Sequence, residues 1–281
     1  MITIKNEFLT ASVDTVGAEL VSVKDNNTQQ EYIWQGTPSI WNGHSPILFP
    51  IAGRLREDTY FYNGKAYSLP KHGFARRSEF SVMKKQENST VLALSDNEKT
   101  RLAYPFPFFL SAEYRLDGKK LCVTNKVYNR GAKTMYFSIG AHPAFNLELG
   151  GKVVFSEKEP LAPVMTDAYG LSVGRKTLHP KSDTVVIDEH IFDADALFFP
   201  KMQSVSAKLV TKEGKEILRM TYGKVPYLGL WAKPAAPYVC IEPWYGFCDH
   251  PNVSGKIEEK PDIISLEPDK EFSFSYEIEF M

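Results

Sequence analysis

FSFSYEIEF, residues 272–280, decides the fold class, because aromatic or aliphatic residues alternate strictly with polar ones. A period of two places successive side chains on opposite faces of a β-strand, one apolar and one polar. Further strand-like runs occur along the rest of the chain, at 2–13, 80–83, 91–94, 121–127, 135–139 and 238–241. The sequence therefore predicts an all-β protein.

Turn signals connect several of these runs. Asn63-Gly64 follows a tyrosine-rich run, and this dipeptide favours the positive backbone angles of a type I′ hairpin turn. Lys212–Lys215 lies between two further runs and predicts a second hairpin. The best helical candidate, 96–104, starts on a capping Asp96 and is stopped by Pro105, so only a short helix is expected.

The length of 281 residues exceeds the usual size of one domain, but large β-sandwiches often form one unit. No internal repeat, low-complexity tract or Gly/Ser linker divides the chain. We therefore expect one domain, residues 1–281. Its 43% hydrophobic residues can form a large core.

The charge balance argues against polyanionic partners. Lys and Arg total 33 against 34 for Asp and Glu, which gives no broad attraction for nucleic acid or an anionic membrane. The start MITIKNEFLT lacks the features of a signal peptide, and no apolar run is long enough to span a bilayer. Three cysteines without a C-x-x-C pair fit reduced thiols. A cytoplasmic location is expected.

Two motifs combine a titratable side chain with a following proline: GAHPAFN, residues 140–146, and VCIEPWYG, residues 239–246. Proline cannot continue the ladder of hydrogen bonds, so we expect His142 and Glu242 at strand ends. Burial among the aromatic residues of these motifs would raise the pKa of the carboxyl and lower that of the imidazole. The pair could then exchange protons near neutral pH. A core histidine and a surface carboxylate remain the alternative.

Two other segments place cations near glycine. LPKHGFARR, residues 69–77, is expected to form a turn that could hold a polyol, and ILFPIAGRLR, residues 47–56, places Arg54 after a buried stretch. A guanidinium offers paired donors to oxygen ligands. Solvated loops are the alternative for both segments.

Metal and cofactor motifs are missing from the sequence. The acidic segment 188–195 has oxygen ligands that suit calcium, but it lacks the spacing of an EF-hand. Neither a zinc motif nor a glycine-rich nucleotide-binding motif occurs. We therefore expect neither a metal nor a cofactor.

Five motifs in order along the chain resemble the aldose 1-epimerase family, in its galactose mutarotase-like bacterial branch: LFPIAGR (48–54), KHGFAR (71–76), GAHPAFN (140–146), DALFF (195–199) and CIEPWYG (240–246). The resemblance spans nearly the whole chain. It implies a large antiparallel β-sandwich of the supersandwich type with an open cleft. It also implies a mutarotase, an isomerase that opens and recloses a sugar ring without a cofactor.

The resemblance also assigns roles to residues that match the motifs. Glu242 would be the general base and His142 the general acid, with the roles reversed on ring closure. The implied sugar-binding residues are His72 near the reacting end, Asp195 (or Asp193) on the far side, Arg54 as an oxygen anchor, and Trp231 or Phe74 as an apolar face.

The substrate stays open between free hexoses and phosphosugars. GRLRE, residues 53–57, replaces the longer arginine motif of the well-known galactose mutarotases. The HGFAR form is shared with the branch that acts on hexose 6-phosphates, so Arg76 and Arg54 could bind a dianion. A carbohydrate-binding protein without activity is the second alternative. A cupin-like metalloenzyme is disfavoured because no H-x-H pair occurs.

Overall fold

Strands dominate the computed structural model, which describes residues 1–281 with 24 strands and one short α-helix. The helix α1 spans Glu98–Ala103. The prediction of a helix here is confirmed, but Asn97 rather than Asp96 is its N-cap. Asn97 Oδ1 accepts a hydrogen bond from Thr100 N at 3.0 Å, while the Thr100 hydroxyl accepts one from Asn97 N. No helix has the length and apolar composition that crossing a membrane requires.

Two large antiparallel sheets and three small ones make up the fold. The nine-stranded sheet has, in spatial order, β17 (His179–Val186), β14 (Lys152–Leu161), β19 (Ser206–Val210), β20 (Glu216–Thr221), β24 (Glu271–Phe280), β10 (Lys120–Asn129), β9 (Phe108–Asp117), β8 (Ser89–Ser95) and β7 (Ser81–Lys85). The eight-stranded sheet has β16 (Ser172–Arg175), β15 (Val164–Thr166), β18 (Leu197–Pro200), β21 (Tyr227–Trp231), β22 (Tyr238–Tyr245), β12 (Ile139–Ala141) and β4 (Ile47–Leu48), with β13 (Ala144–Asn146) also paired to β22.

The small sheets complete the strand inventory. They are β1 (Ile2–Lys5), β2 (Leu9–Val13) and β3 (Leu20–Asp25); β5 (Thr59–Tyr62) and β6 (Lys65–Ser68); and β11 (Met135–Phe137) with β23 (Ile264–Leu266). Short 3-10 turns lie at Arg56–Asp58, Ala75–Arg77 and Ile257–Glu259. The prediction of one continuous strand over 2–13 is wrong, because this segment forms the two strands β1 and β2. Asn6 Oδ1 accepts hydrogen bonds from Phe8 N and Leu9 N, which turns the chain between them.

The two large sheets pack face to face. Phe155 of β14 contacts Phe199 of β18 with ring centroids 5.7 Å apart, and Tyr245 of β22 contacts Phe274 of β24 at 5.1 Å. One hydrophobic cluster of 66 buried residues fills the space between them and extends from the N-terminal strands to the C-terminus. The predicted antiparallel β-sandwich is therefore confirmed.

The C-terminal strand and both hairpins agree with the sequence pattern. β24 lies between β20 and β10, and the apolar side chains of its second half are buried. Asn63 and Gly64 have φ values of 50° and 76°, as a type I′ turn requires. The segment Lys212–Lys215 lies within the connection between β19 and β20.

The expectation that Pro243 ends its strand is wrong. β22 continues through Pro243 to Tyr245, so Glu242 lies in mid-strand. The physical reason is a gap in the neighbouring ladder. β12 and β13 both pair with β22 on the side away from β21, and the chain leaves the ladder between them at His142 and Pro143. Because Pro243 faces this gap, its missing N–H costs no hydrogen bond. His142 does follow directly after its strand, as predicted.

Candidate functional site

A cleft of about 440 Å³ opens on the eight-stranded sheet. Its volume lies within the roughly 300–1,000 Å³ that small-molecule sites occupy. Because side chains alternate along β22, Ile241 belongs to the core whereas Glu242 lines the cleft. Six of the eight residues predicted for the site line this cleft: His142, Glu242, His72, Asp195, Arg76 and Trp231.

His142 and Glu242 meet at the floor of the cleft, although they are far apart in the chain. His142 Nε2 lies 3.3 Å from Glu242 Oε2. The two residues are 8% and 1% exposed. Neither carboxylate oxygen of Glu242 has a hydrogen-bond partner, and neither does His142 Nδ1. Buried polar atoms are normally paired, so this pair is left open toward a ligand.

Strand pairing fixes the position of the carboxyl group. Glu242 is paired with Gly229 of β21. A Cβ at position 229 would lie 3.1 Å from Glu242 Cβ and 2.8 Å from the ring of Phe198. Glycine therefore gives the Glu242 side chain the space that it occupies beside the neighbouring strand.

Burial shifts the pKa values of the pair in opposite directions. Loss of hydration raises the pKa of Glu242 well above its ordinary 4.5; Asp195 raises it further, while Lys71 opposes the rise. Loss of hydration also lowers the pKa of His142, to about 3, and Lys71 and Arg76 lower it further. Both shifts favour neutral side chains. The pair therefore holds one proton over a wide pH range, and in the free protein both shifts favour the form in which this proton lies on Glu242.

His72 is positioned as a hydrogen-bond donor. Its Nδ1 accepts a hydrogen bond from Gly53 N at 3.1 Å, and burial lowers the pKa of the ring well below 6.5. The neutral ring therefore carries its proton on Nε2. Gly73, with φ of 68°, lets the chain turn directly against the carbonyl of Phe49, where a side chain would collide. This turn directs the His72 ring into the cleft.

The two candidate aspartates have different surroundings. Asp195 Oδ2 accepts a hydrogen bond from the Thr166 hydroxyl at 3.3 Å. The Asp193 carboxylate pairs with Nδ1 of the exposed His190 at 2.9 Å and is itself mostly exposed. Both residues line the cleft. Asp195 is partly buried there, whereas Asp193 is exposed to solvent.

Aromatic rings enclose His142. Trp41 stacks on it with centroids 5.3 Å apart, and Trp231 contacts it edge-on at 5.6 Å. The two indoles also contact each other at 5.3 Å. Sequence reasoning missed Trp41, which lies in a loop outside every motif. Its only signal was that it is one of four tryptophans in the chain.

Three cations line the cleft without an acidic partner: Lys71, Arg76 and Lys233. None of them forms a salt bridge, and Arg76 Nε is buried without a hydrogen-bond partner. Sequence reasoning identified Arg76 but missed both lysines. Lys71 lies inside the KHGFAR motif, which was a usable signal; Lys233 lies in a loop with none.

Arg54 and Phe74 do not line the cleft, so their predicted contact with sugar lacks support. Arg54 forms a bidentate pair with Asp58, at 2.8 and 3.0 Å, and donates to the carbonyl of Tyr169. Of the proposed dianion pair of Arg54 and Arg76, only Arg76 lines the cleft. Phe74 packs instead against Phe49 and Phe108, with centroids 6.2 and 6.0 Å away.

One group of side chains could hold a metal ion. Ligand atoms of His142, Cys240 and Glu242 all lie within 4.8 Å of one another, and all three residues are buried. The three cysteines of the chain are free thiols. In the acidic segment 188–195, Asp188 Oδ1 accepts hydrogen bonds from His190 N and Ile191 N, as in a turn.

Comparison with known proteins agrees with this fold. The sequence profile of the family described as aldose 1-epimerase matches residues 1–279. The plasmid-encoded protein LacX of Lactococcus lactis subsp. lactis is 33% identical over 99% of this chain and 98% of its own length.

Two solved structures superpose closely on the whole chain. One, a galactose mutarotase related enzyme from Lactobacillus acidophilus, has a TM-score of 0.94 and 32% identity, with 100% of this chain and 97% of the other covered. The other, a galactose mutarotase-like protein from Lactobacillus casei, has a TM-score of 0.94 and 26% identity, with both chains fully covered. With a profile match over almost every residue, this chain belongs to the aldose 1-epimerase family.

Proposed function

We propose that this protein interconverts the α and β anomers of a hexose by acid–base opening and reclosure of the ring. The observation that carries the proposal is the buried contact of His142 with Glu242, 3.3 Å apart at the floor of a sugar-sized cleft. An imidazole and a carboxyl group that share one proton can supply both an acid and a base to one substrate.

The reaction begins from the form in which the proton lies on His142. The Glu242 carboxylate accepts the proton of the anomeric hydroxyl, and His142 donates its proton to the ring oxygen, so that the bond between this oxygen and the anomeric carbon breaks. Rotation about the adjacent carbon–carbon bond exposes either face of the aldehyde. Closure with the proton transfers reversed gives either anomer.

Substrate binding shifts the pair toward the ionised carboxylate, against the preference of the free protein for the neutral form. Both Glu242 oxygens lack donors in the free protein. Sugar hydroxyls can donate to them, and hydrogen bonds to a charged form stabilise that form. The sugar thus promotes the proton distribution that the reaction uses.

The remaining cleft residues orient the sugar. His72 Nε2–H donates to an oxygen near the reacting end, and Asp195 accepts from hydroxyls on the far side. Its partly buried position favours Asp195 over Asp193, whose carboxylate is already paired with His190. Trp231 and Trp41 offer apolar ring surface to the sugar's C–H groups.

The test is anomeric exchange, followed by NMR for glucose, galactose and their 6-phosphates. Glu242→Gln and His142→Asn should each lower the rate by about 10²-fold or more, since each removes one proton-transfer group. Unchanged rates in either variant would refute its role. Sugar binding by the wild type without faster exchange would favour a carbohydrate-binding protein instead.

A hexose 6-phosphate is the second candidate substrate, favoured by the three unpaired cations of the cleft. Arg76 lowers the pKa values of His72 and His142 but is not among the groups that shift that of Glu242, so it lies toward the acid end of the pair, whereas Lys71 acts on all three residues. In a hexopyranose 6-phosphate, carbon 6 bears the phosphate and is bonded to carbon 5, which is itself bonded to the ring oxygen. A sugar whose ring oxygen faces His142 would therefore bring its phosphate toward these cations.

Arg76→Ala separates the two candidate substrates. Loss of a charge-assisted hydrogen bond should lower kcat/KM for the 6-phosphate by about tenfold or more, while a free hexose changes by less than about threefold. Arg77→Ala is the matched control, because Arg77 is exposed and outside the cleft. Equal losses on both sugars would refute phosphate binding by Arg76.

A further inference from the structure

Cys240 is a buried nucleophile that the proposed reaction does not use. It precedes Glu242 by two positions on β22, so both side chains project from the same face of the strand. It is paired with Ala144 of β13 on one side and with Trp231 of β21 on the other. His142 lies two positions before Ala144, the β13 residue that pairs with Cys240, and this brings the imidazole close to the thiol.

The three side chains offer sulfur, nitrogen and oxygen atoms within 4.8 Å of one another. Ligand atoms on a tetrahedral zinc ion lie roughly 3.4 Å apart, given bonds of about 2.0–2.3 Å. The separation of His142 Nε2 and Glu242 Oε2, 3.3 Å, already matches this value. The thiol lies within 4.8 Å of the other two ligand atoms and would move toward them on binding, while the cleft that His142 and Glu242 line gives access to a fourth ligand.

Several observations distinguish this cluster from an ordinary buried cysteine. Glu242 is 1% exposed, and both of its oxygens lack partners, as does His142 Nδ1. Three types of ligand atom that zinc accepts therefore converge where the protein supplies no other partner for the carboxyl group. Neither Cys122 nor Cys248 belongs to such a group.

We propose that His142, Cys240 and Glu242 bind a thiophilic divalent cation such as Zn²⁺, and that this ion excludes the sugar from the acid–base pair. Metal–sulfur, metal–nitrogen and metal–oxygen bonds form. The thiol proton and the proton shared by His142 and Glu242 are released to solvent. The inhibitory part rests on the proposed function, whereas the binding part does not.

The binding test is titration of chelator-treated protein with Co²⁺, a spectroscopic substitute for Zn²⁺. A thiolate-to-cobalt band in the near ultraviolet is expected for the wild type and absent for Cys240→Ala. Cys240→Ala removes a direct ligand of the ion and should weaken Co²⁺ binding by about tenfold or more. Removing a residue that only hydrogen-bonds to a metal ligand already has an effect of this size. Two control variants keep all three proposed ligands. Cys248→Ala removes a thiol that lines the cleft, and Cys122→Ser removes a thiol of β10 in the nine-stranded sheet. Both variants should retain the band.

A wild-type protein without the thiolate band, or a Cys240→Ala variant that binds as tightly, would overturn the proposal. Glu242→Gln supplies a second variant in case Cys240→Ala does not fold, and it should also bind at least about tenfold more weakly. Zn²⁺ inhibition of anomeric exchange, competitive with sugar and relieved by a chelator, tests the second part. Because cobalt binding is read without any turnover, failure of the epimerase proposal remains distinguishable from failure of the metal site.

Discussion

Asp249–Lys260 and His142–Glu242 are two buried pairs of titratable side chains with different surroundings. Lys260 Nζ lies 2.5 Å from Asp249 Oδ1, and the other carboxylate oxygen accepts a hydrogen bond from Arg56 N at 2.9 Å. In the other pair, neither Glu242 oxygen accepts a hydrogen bond at all. Both carboxyl groups are almost fully buried.

The difference is the one expected between a structural role for Asp249–Lys260 and the proposed chemical role of His142–Glu242. Asp249 also bonds through its backbone to Arg54 and Ser172, so its ion pair joins three segments beside the cleft. Each charge there has a partner, which is the condition under which a buried ion pair is tolerated. Glu242 and His142 lack such partners, and they instead share one proton and face the cleft. Four predictions test this contrast.

Breaking the Asp249–Lys260 pair, in which each charge has a partner, should have the largest effect. Lys260→Met leaves the Asp249 carboxylate buried and unpaired, so the free energy of unfolding should fall by about 3–5 kcal/mol. Glu242→Gln should change it by less than about 1 kcal/mol, because no existing hydrogen bond is lost. Urea denaturation of both variants measures the difference. Adding Asp249→Asn to Lys260→Met should recover part of the loss; no recovery would contradict the electrostatic explanation.

Crowding the His142–Glu242 pair should have the next largest effect. This effect should appear as a lower kcat/KM for anomeric exchange. Gly229→Ala adds a Cβ 3.1 Å from Glu242 Cβ and 2.8 Å from Phe198. Overpacking of this kind costs about 1–3 kcal/mol and displaces the carboxyl group, so kcat/KM should fall by about tenfold. Gly214→Ala is a control for lost stability without crowding: with φ of 93° in open space, it should strain the backbone and lower stability but leave kcat/KM unchanged. Full activity in Gly229→Ala would show that the position of Glu242 is less restricted than the strand pairing suggests.

A change at Arg54 should matter less. Its guanidinium pairs with Asp58 in a half-exposed position and does not line the cleft. Arg54→Ala should therefore lower stability by no more than about 1 kcal/mol, and kcat/KM by less than about threefold. Kinetics on a free hexose and thermal unfolding measure the two effects. A tenfold loss of activity would restore the sugar contact that sequence reasoning expected.

The smallest effect concerns pH. A second proton binds His142 at its lowered pKa of about 3, whereas the shared proton is lost at the raised pKa of Glu242. The profile of kcat/KM against pH, which reports the free protein, should therefore show no acid limb near 6.5, and its alkaline limb should lie above 4.5. An acid limb centred at about 6.5 would indicate an ordinary, solvated histidine and would remove the contrast between the pairs.

Local patterns predicted the strand character, the hairpins and the two motifs that meet in the cleft. They could not predict contacts that depend on how distant strands are paired. Pro243 is accommodated in mid-strand because of a gap in the ladder of its neighbours, and no local pattern of β22 encodes that gap. Phe74 lies one residue from a cleft-lining turn but packs into the core. Trp41 reaches the cleft from a loop that carries no motif.

The interrupted ladder between β12 and β13 has a consequence for variation of this protein. Because both segments pair with the same strand, the spacing of the imidazole and the carboxyl group depends on strand register and not on loop length. The rim loop that carries Lys233 can therefore be lengthened or exchanged without changing this register, whereas Trp41 stacks on His142 and its loop has to be kept. The scaffold is modular in this sense: its chemistry and its choice of sugar can be engineered separately.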